Sequence, residues 1–69
     1  MKQFNPEKMI SLRKKKKFSQ LDLSYHCGIS LPTVKNIENG INTPGGKILA
    51  KLSNVLKVKI DNLFIEEEK

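Results

Sequence analysis

The sequence predicts an all-α fold, a compact single domain of five short helices, and three observations lead there. Its 69 residues leave room for only one domain. Helix punctuation recurs along the chain, whereas the turn dipeptides and alternating runs of β-hairpins are scarce. The aromatic residues Phe4, Phe18, Tyr25 and Phe64 form no glycine-spaced repeats, which disfavours a small β-barrel. The domain is expected to span residues 1–69, with its core over about 6–65 and a frayed acidic end at 66–69.

The first helix starts at Asn5 as N-cap, with Pro6 at the first helical position and Glu7 in the first turn. Met9, Ile10 and Leu12 give it an apolar side, and the basic run Arg13 to Lys17 suits its C-terminal end. Ser19 caps the second helix, which carries Leu23 and Cys27 at i, i+4 beside the small Ser24 and stops at Gly28. Ser30 caps a third helix from Leu31 to Glu38, with Pro32 tolerated in its first turn. Val34 and Ile37 mark its inward side, and Asn39-Gly40 ends it. Thr43-Pro44-Gly45-Gly46 is a strong turn signal. In the fourth helix Ile48, Leu49, Leu52, Val55 and Leu56 form one apolar stripe, the clearest periodicity in the chain. Val58 and Ile60 lead into a last helical turn with Leu63 and Phe64.

Charge narrows the function. The chain carries +6, placed unevenly: residues 1–59 hold 12 basic and 3 acidic side chains, and 60–69 hold 1 basic and 4 acidic. A basic body attracts polyanions, either nucleic acid or an anionic membrane. The membrane reading is weaker, because the lysine-rich helix lacks an insertable apolar face. One cysteine excludes an internal disulfide, and with a single histidine the chain falls short of a four-ligand zinc site unless subunits share it. Neither a transmembrane run nor a signal-peptide core is present, so a reducing cytoplasm is expected. Nor is there a catalytic constellation: His26 has no carboxylate dyad or nucleophile at an informative spacing, and Gly45-Gly46 lacks the phosphate-loop pattern. Cys27 reads as a small core residue and His26 as a surface one. No enzyme and no cofactor is expected.

Two short helices joined by Gly28-Ile29-Ser30 have the connection of a helix-turn-helix, whose second helix enters the DNA major groove. Further elements follow in order: Leu12-Arg13, Phe18-Ser19-Gln20, Leu23-Ser24, Thr33-Val34, Ile37-Glu38-Asn39-Gly40, Pro44, the stripe ending at Leu56, and Asp61-Asn62-Leu63. In these the chain resembles the Cro/phage-repressor, or xenobiotic-response-element, helix-turn-helix domains, which have the lambda-repressor-like fold. It departs from them at Ser24, where alanine is usual, and at Lys57, where glycine is common. Leu31-Pro32 also stands where polar residues often read bases.

The resemblance implies a DNA-binding transcriptional regulator whose third helix reads bases through Leu31, Pro32, Thr33, Lys35 and Asn36. Local chemistry agrees: Lys35 can donate to guanine, Asn36 can pair bidentately with adenine, and Leu31 or Thr33 can touch a thymine methyl. Gln20, Ser30, Asn39, Asn42 and Thr43 are expected on phosphates, which fix register without reading sequence. Of the lysine run, Lys16 or Lys17 is expected to reach a phosphate, the remainder being solvated. The resemblance also pairs Arg13 with Glu38 in a partly buried ion pair. It places a two-fold homodimer interface at Ile60, Asp61, Asn62 and Ile65.

Repression by occluding a palindromic operator is the simplest mechanism. An antitoxin with a cognate toxin, or a restriction-modification controller, shares the fold. The competing class is a protein-interaction module that does not bind DNA.

Overall fold

The computed structural model describes residues 2–66. Its order is β1 (Lys2–Phe4), α1 (Pro6–Lys15), α2 (Gln20–Cys27), α3 (Leu31–Glu38), α4 (Gly46–Leu56), a 3-10 turn (Ile60–Leu63) and β2 (Phe64–Glu66). Local chemistry starts and stops the helices. Asn5 accepts from the Glu7 amide at 3.1 Å, and Ser19 and Asp22 exchange side-chain-to-backbone bonds at 2.9 Å in a capping box. Ser30 accepts from the Thr33 amide at 3.2 Å. Gly28 ends α2 at φ +67°, a left-handed conformation that costs glycine little.

Met9, Leu23, Val34, Ile37, Leu52 and Leu63 are fully buried, one or two from each helical element. Cys27 and Leu56 complete the core, with Leu12, Phe18, Ile48, Leu49 and Val55 packed around it. The core also reaches further toward the start of the chain than residue 6, because Phe4 is buried against Phe64, ring centroids 5.9 Å apart and edge-on at 84°.

Two expectations need correction. The described residues form four α-helices, not five: after α4 the chain makes only a four-residue 3-10 turn, too short for an α-helical hydrogen-bond ladder. Nor is the fold wholly α. β1 and β2 pair antiparallel, Lys2 with Glu66, Gln3 with Ile65 and Phe4 with Phe64. Of the expected frayed end, Glu66 is the last residue of β2, and 67–69 lie outside the described residues. The strands form because burying Phe4 beside Phe64 brings two backbones together whose polar groups then need partners. The Asn5 amide extends the junction by donating to the Leu63 carbonyl at 2.8 Å. Among the described residues no helix is long and apolar enough to cross a membrane.

Lys57 closes α4 at φ +60°, ψ +44°, in the left-handed region that disfavours residues with a Cβ. Its side chain is exposed. Lys57→Gly is therefore expected to stabilise the domain by about 1 kcal/mol, raising Tm by roughly 4 to 8 °C. A thermal melt followed by circular dichroism checks this, and a lowered Tm would contradict it.

Candidate nucleic-acid interface

Two segments of the chain converge on the carboxylate of Glu38, at the end of α3. Arg13, from the last turn of α1, donates through Nε to Oε2 at 2.7 Å and through Nη2 to Oε1 at 3.2 Å. Its Nη1 donates to the Phe18 carbonyl at 2.7 Å, fastening the α1–α2 connection to the same group. Gln20, the first residue of α2, donates from Nε2 to Glu38 Oε1 at 2.9 Å. The Arg13 and Glu38 side chains are 10% and 2% exposed, so this network is shielded from screening by water. The described residues leave no buried side-chain nitrogen or oxygen unpartnered. One glutamate thus fixes α3 against both α1 and the start of α2.

With Val34 and Ile37 buried, α3 turns its opposite side outward. Pro32 and Lys35 are exposed there, and Leu31, Thr33 and Asn36 are half-buried at the flanks. The Thr33 hydroxyl lies 2.7 Å from that of Ser30, so both are engaged locally and the Thr33 methyl is left as its distinctive group. The Asn36 carbonyl accepts from the Ile41 amide at 2.9 Å and the Asn42 amide at 3.3 Å, tying the following loop to the helix. Gly40 permits that reversal at φ +76°. Asn39, Asn42 and Thr43 are exposed, while Pro44 is buried and pins the loop's far end.

Lys14 to Lys17 are all exposed at the other end of the α1–α2 connection, with Lys17 at φ +61°. Ile60, Asp61, Asn62 and Ile65 are exposed together on the C-terminal segment, away from the buried Leu63. The structure thus brings Arg13, Gln20 and Glu38 into direct contact and leaves the base-reading and C-terminal groups as separate surfaces. Sequence reasoning missed the Phe18 carbonyl as a partner of Arg13, because a backbone acceptor carries no residue signature. It also missed Lys2 and Gln3, which line a cleft with Asn42 and Thr43 and come there only through a strand pairing across the length of the chain.

Among the described residues, two titratable groups depart from their ordinary values. The Ser19 backbone amide, and then its side chain, hold the Asp22 carboxyl below the usual range, so it is ionised as the capping box requires. Burial pushes the Cys27 thiol up, which makes it an unreactive core group. His26 is exposed and stacks on Phe18 with centroids 4.7 Å apart. Among the described residues no three His, Cys, Asp or Glu side chains gather as a metal site.

Residues 9–63 match the family model described as Helix-turn-helix. Among solved structures, the chain is similar to the DNA-binding domain (1–76) of the P22 C2 repressor, determined in solution by nuclear magnetic resonance. The two are 31% identical with a TM-score of 0.82, over 88% of this chain and 80% of that one. No curated protein matches the chain.

Proposed function

The chain belongs to the Cro/C1-type helix-turn-helix family of DNA-binding transcription regulators, and from that membership we propose that it is a sequence-specific repressor acting as a homodimer on a palindromic operator. The observation that carries this reading is the bracing of α3: Glu38, held by Arg13 and Gln20, fixes a helix whose outward side presents Lys35 with Asn36 beside it. A helix that reads bases must be held rigidly, since its contacts depend on hydrogen-bond geometry. Gln20 and the loop residues Asn39, Asn42 and Thr43 supply phosphate contacts on either side of it. Two copies place their recognition helices in successive major grooves, about 34 Å apart. Occupying a promoter in this way excludes polymerase without any further domain.

Selection of bound fragments from a random duplex library tests the reading, with half-site spacing read from the recovered sequences. Affinity for the recovered operator is expected to fall on the order of 10³- to 10⁵-fold between about 50 and 200 mM salt. Lys35→Ala and Asn36→Ala are expected to relax preference at particular base pairs, by about 1 to 3 kcal/mol for each good contact. Gln20→Ala should instead weaken all sites alike. Failure to bind any duplex at low salt would leave the second reading, a protein-interaction module of the same fold. That reading is favoured by the exposed Pro32 and half-buried Leu31 at the start of α3. An antitoxin or a restriction-modification controller would use the same DNA surface, the antitoxin with a cognate toxin bound as well.

A further inference from the structure

Strand β1 is flanked by two clefts of different chemistry. One, of about 460 Å³, includes in its lining Glu7, whose exposed carboxylate repels an anion, and Glu38, already paired with Arg13. The other, of about 390 Å³, has no carboxylate among the described residues of its lining: Lys2 and Gln3 from the strand meet Asn42 and Thr43 from the loop after α3, over the apolar Phe4 and Phe64. An ammonium, two amides and a hydroxyl are the donor types that hold nucleic-acid phosphates.

Both walls are fixed before any ligand arrives. β1 is held by its ladder to β2 and by the Phe4–Phe64 contact, and the loop by the Ile41 and Asn42 amides on the Asn36 carbonyl. Little ordering cost then opposes binding. Among the described residues the carboxylate facing Lys2 belongs to Asp61: its oxygen lies 3.8 Å from Nζ, with side chains 55% and 78% exposed, and such pairs contribute little.

Resting on the DNA-binding reading above, we infer that this cleft takes a backbone phosphate of the duplex that α3 reads, with Lys2 and Gln3 forming its second wall opposite Asn42 and Thr43. The N-terminal strand is then part of the DNA grip. Because Asn42 hangs from the carbonyl of Asn36, the phosphate in this cleft sets the depth at which the neighbouring side chain of α3 meets the groove.

The test is the slope of log affinity against log salt, measured on the selected operator for the wild type, Lys2→Ala, Lys2→Gln and Lys2→Arg. Lys2→Gln keeps the aliphatic stem, and thermal melts establish that each variant is folded. The two neutral variants are expected to flatten the slope by about 0.9 for each phosphate no longer neutralised, and to weaken all sequences equally. Lys2→Arg should restore the wild-type slope. A wild-type slope in Lys2→Gln, with operator binding intact, overturns the phosphate cleft alone. Absence of duplex binding by the wild-type chain at about 50 mM salt overturns the DNA-binding reading as well.

Discussion

Glu38→Ala is expected to leave the domain largely unfolded at room temperature. The substitution strands a guanidinium whose side chain is only 10% exposed, keeping the Phe18 carbonyl as one partner and removing two charge-assisted bonds. It also removes the acceptor of the Gln20 amide. Breaking one side of a buried pair costs about 3 to 5 kcal/mol, because the remaining charge is desolvated without compensation. A core in a domain of this size rarely supplies more than about 3 to 5 kcal/mol of net stability, so the loss is comparable with the whole. Urea denaturation followed by circular dichroism measures it directly. The double change Arg13→Met with Glu38→Leu should recover much of the loss, since it leaves no orphaned charge. If Glu38→Ala melted with the wild type, the network would contribute no stability.

The second large effect concerns assembly. Ile60 and Ile65 are 40% and 46% exposed on a segment whose other apolar residues, Leu63 and Phe64, pack inward. In the proposed dimer they cross the two-fold axis, with Asp61 and Asn62 around them. Ile60→Asp is expected to fold, because the side chain is already open to water, yet to dissociate, because the axis places two new carboxylates face to face. DNA binding then gives up half of the phosphates it neutralises and its salt slope halves, from about −7 for roughly eight phosphates to about −3.6. Sedimentation at micromolar concentration decides the matter. A wild type that runs at 7.9 kDa, with Ile60→Asp binding operator equally well, would end the two-fold model.

What can be read from the residues divides by range along the chain. The caps at Asn5, Ser19 and Ser30 and the glycines at 28 and 40 act within a few positions of themselves, and each helix begins or ends where they indicate. The stripe of α4 is equally plain, because five apolar residues repeat at the helical period. The strands are not. Lys2–Phe4 and Phe64–Glu66 are three residues each, too short to display alternation, and neither has a partner nearby in sequence. The last turn reads as a helix because Ile60, Leu63 and Phe64 are spaced as on one. Phe64 is diverted into β2 by the contact with Phe4. At the interface, Arg13, Gln20 and Glu38 stand out through the family resemblance. The Phe18 carbonyl and the neighbourhood of Lys2 depend on tertiary contacts that no local pattern encodes.

The pairing of β1 with β2 also has a consequence for the order of events during synthesis. Lys2 is synthesised 64 positions ahead of its partner Glu66. At about 5 to 20 residues per second, on the order of 3 to 13 s separate the two halves of the sheet. The helices meet no such delay, since their hydrogen bonds join residues three or four apart. Throughout that interval Phe4 remains without its cover, on a segment whose only charged side chain is a single lysine. In the nascent chain the Phe4 ring is therefore open to capture by chaperones, or by another copy, for longer than the side chains of the helical core. The bracing of α3 is released from the same wait much earlier, as soon as Glu38 is made.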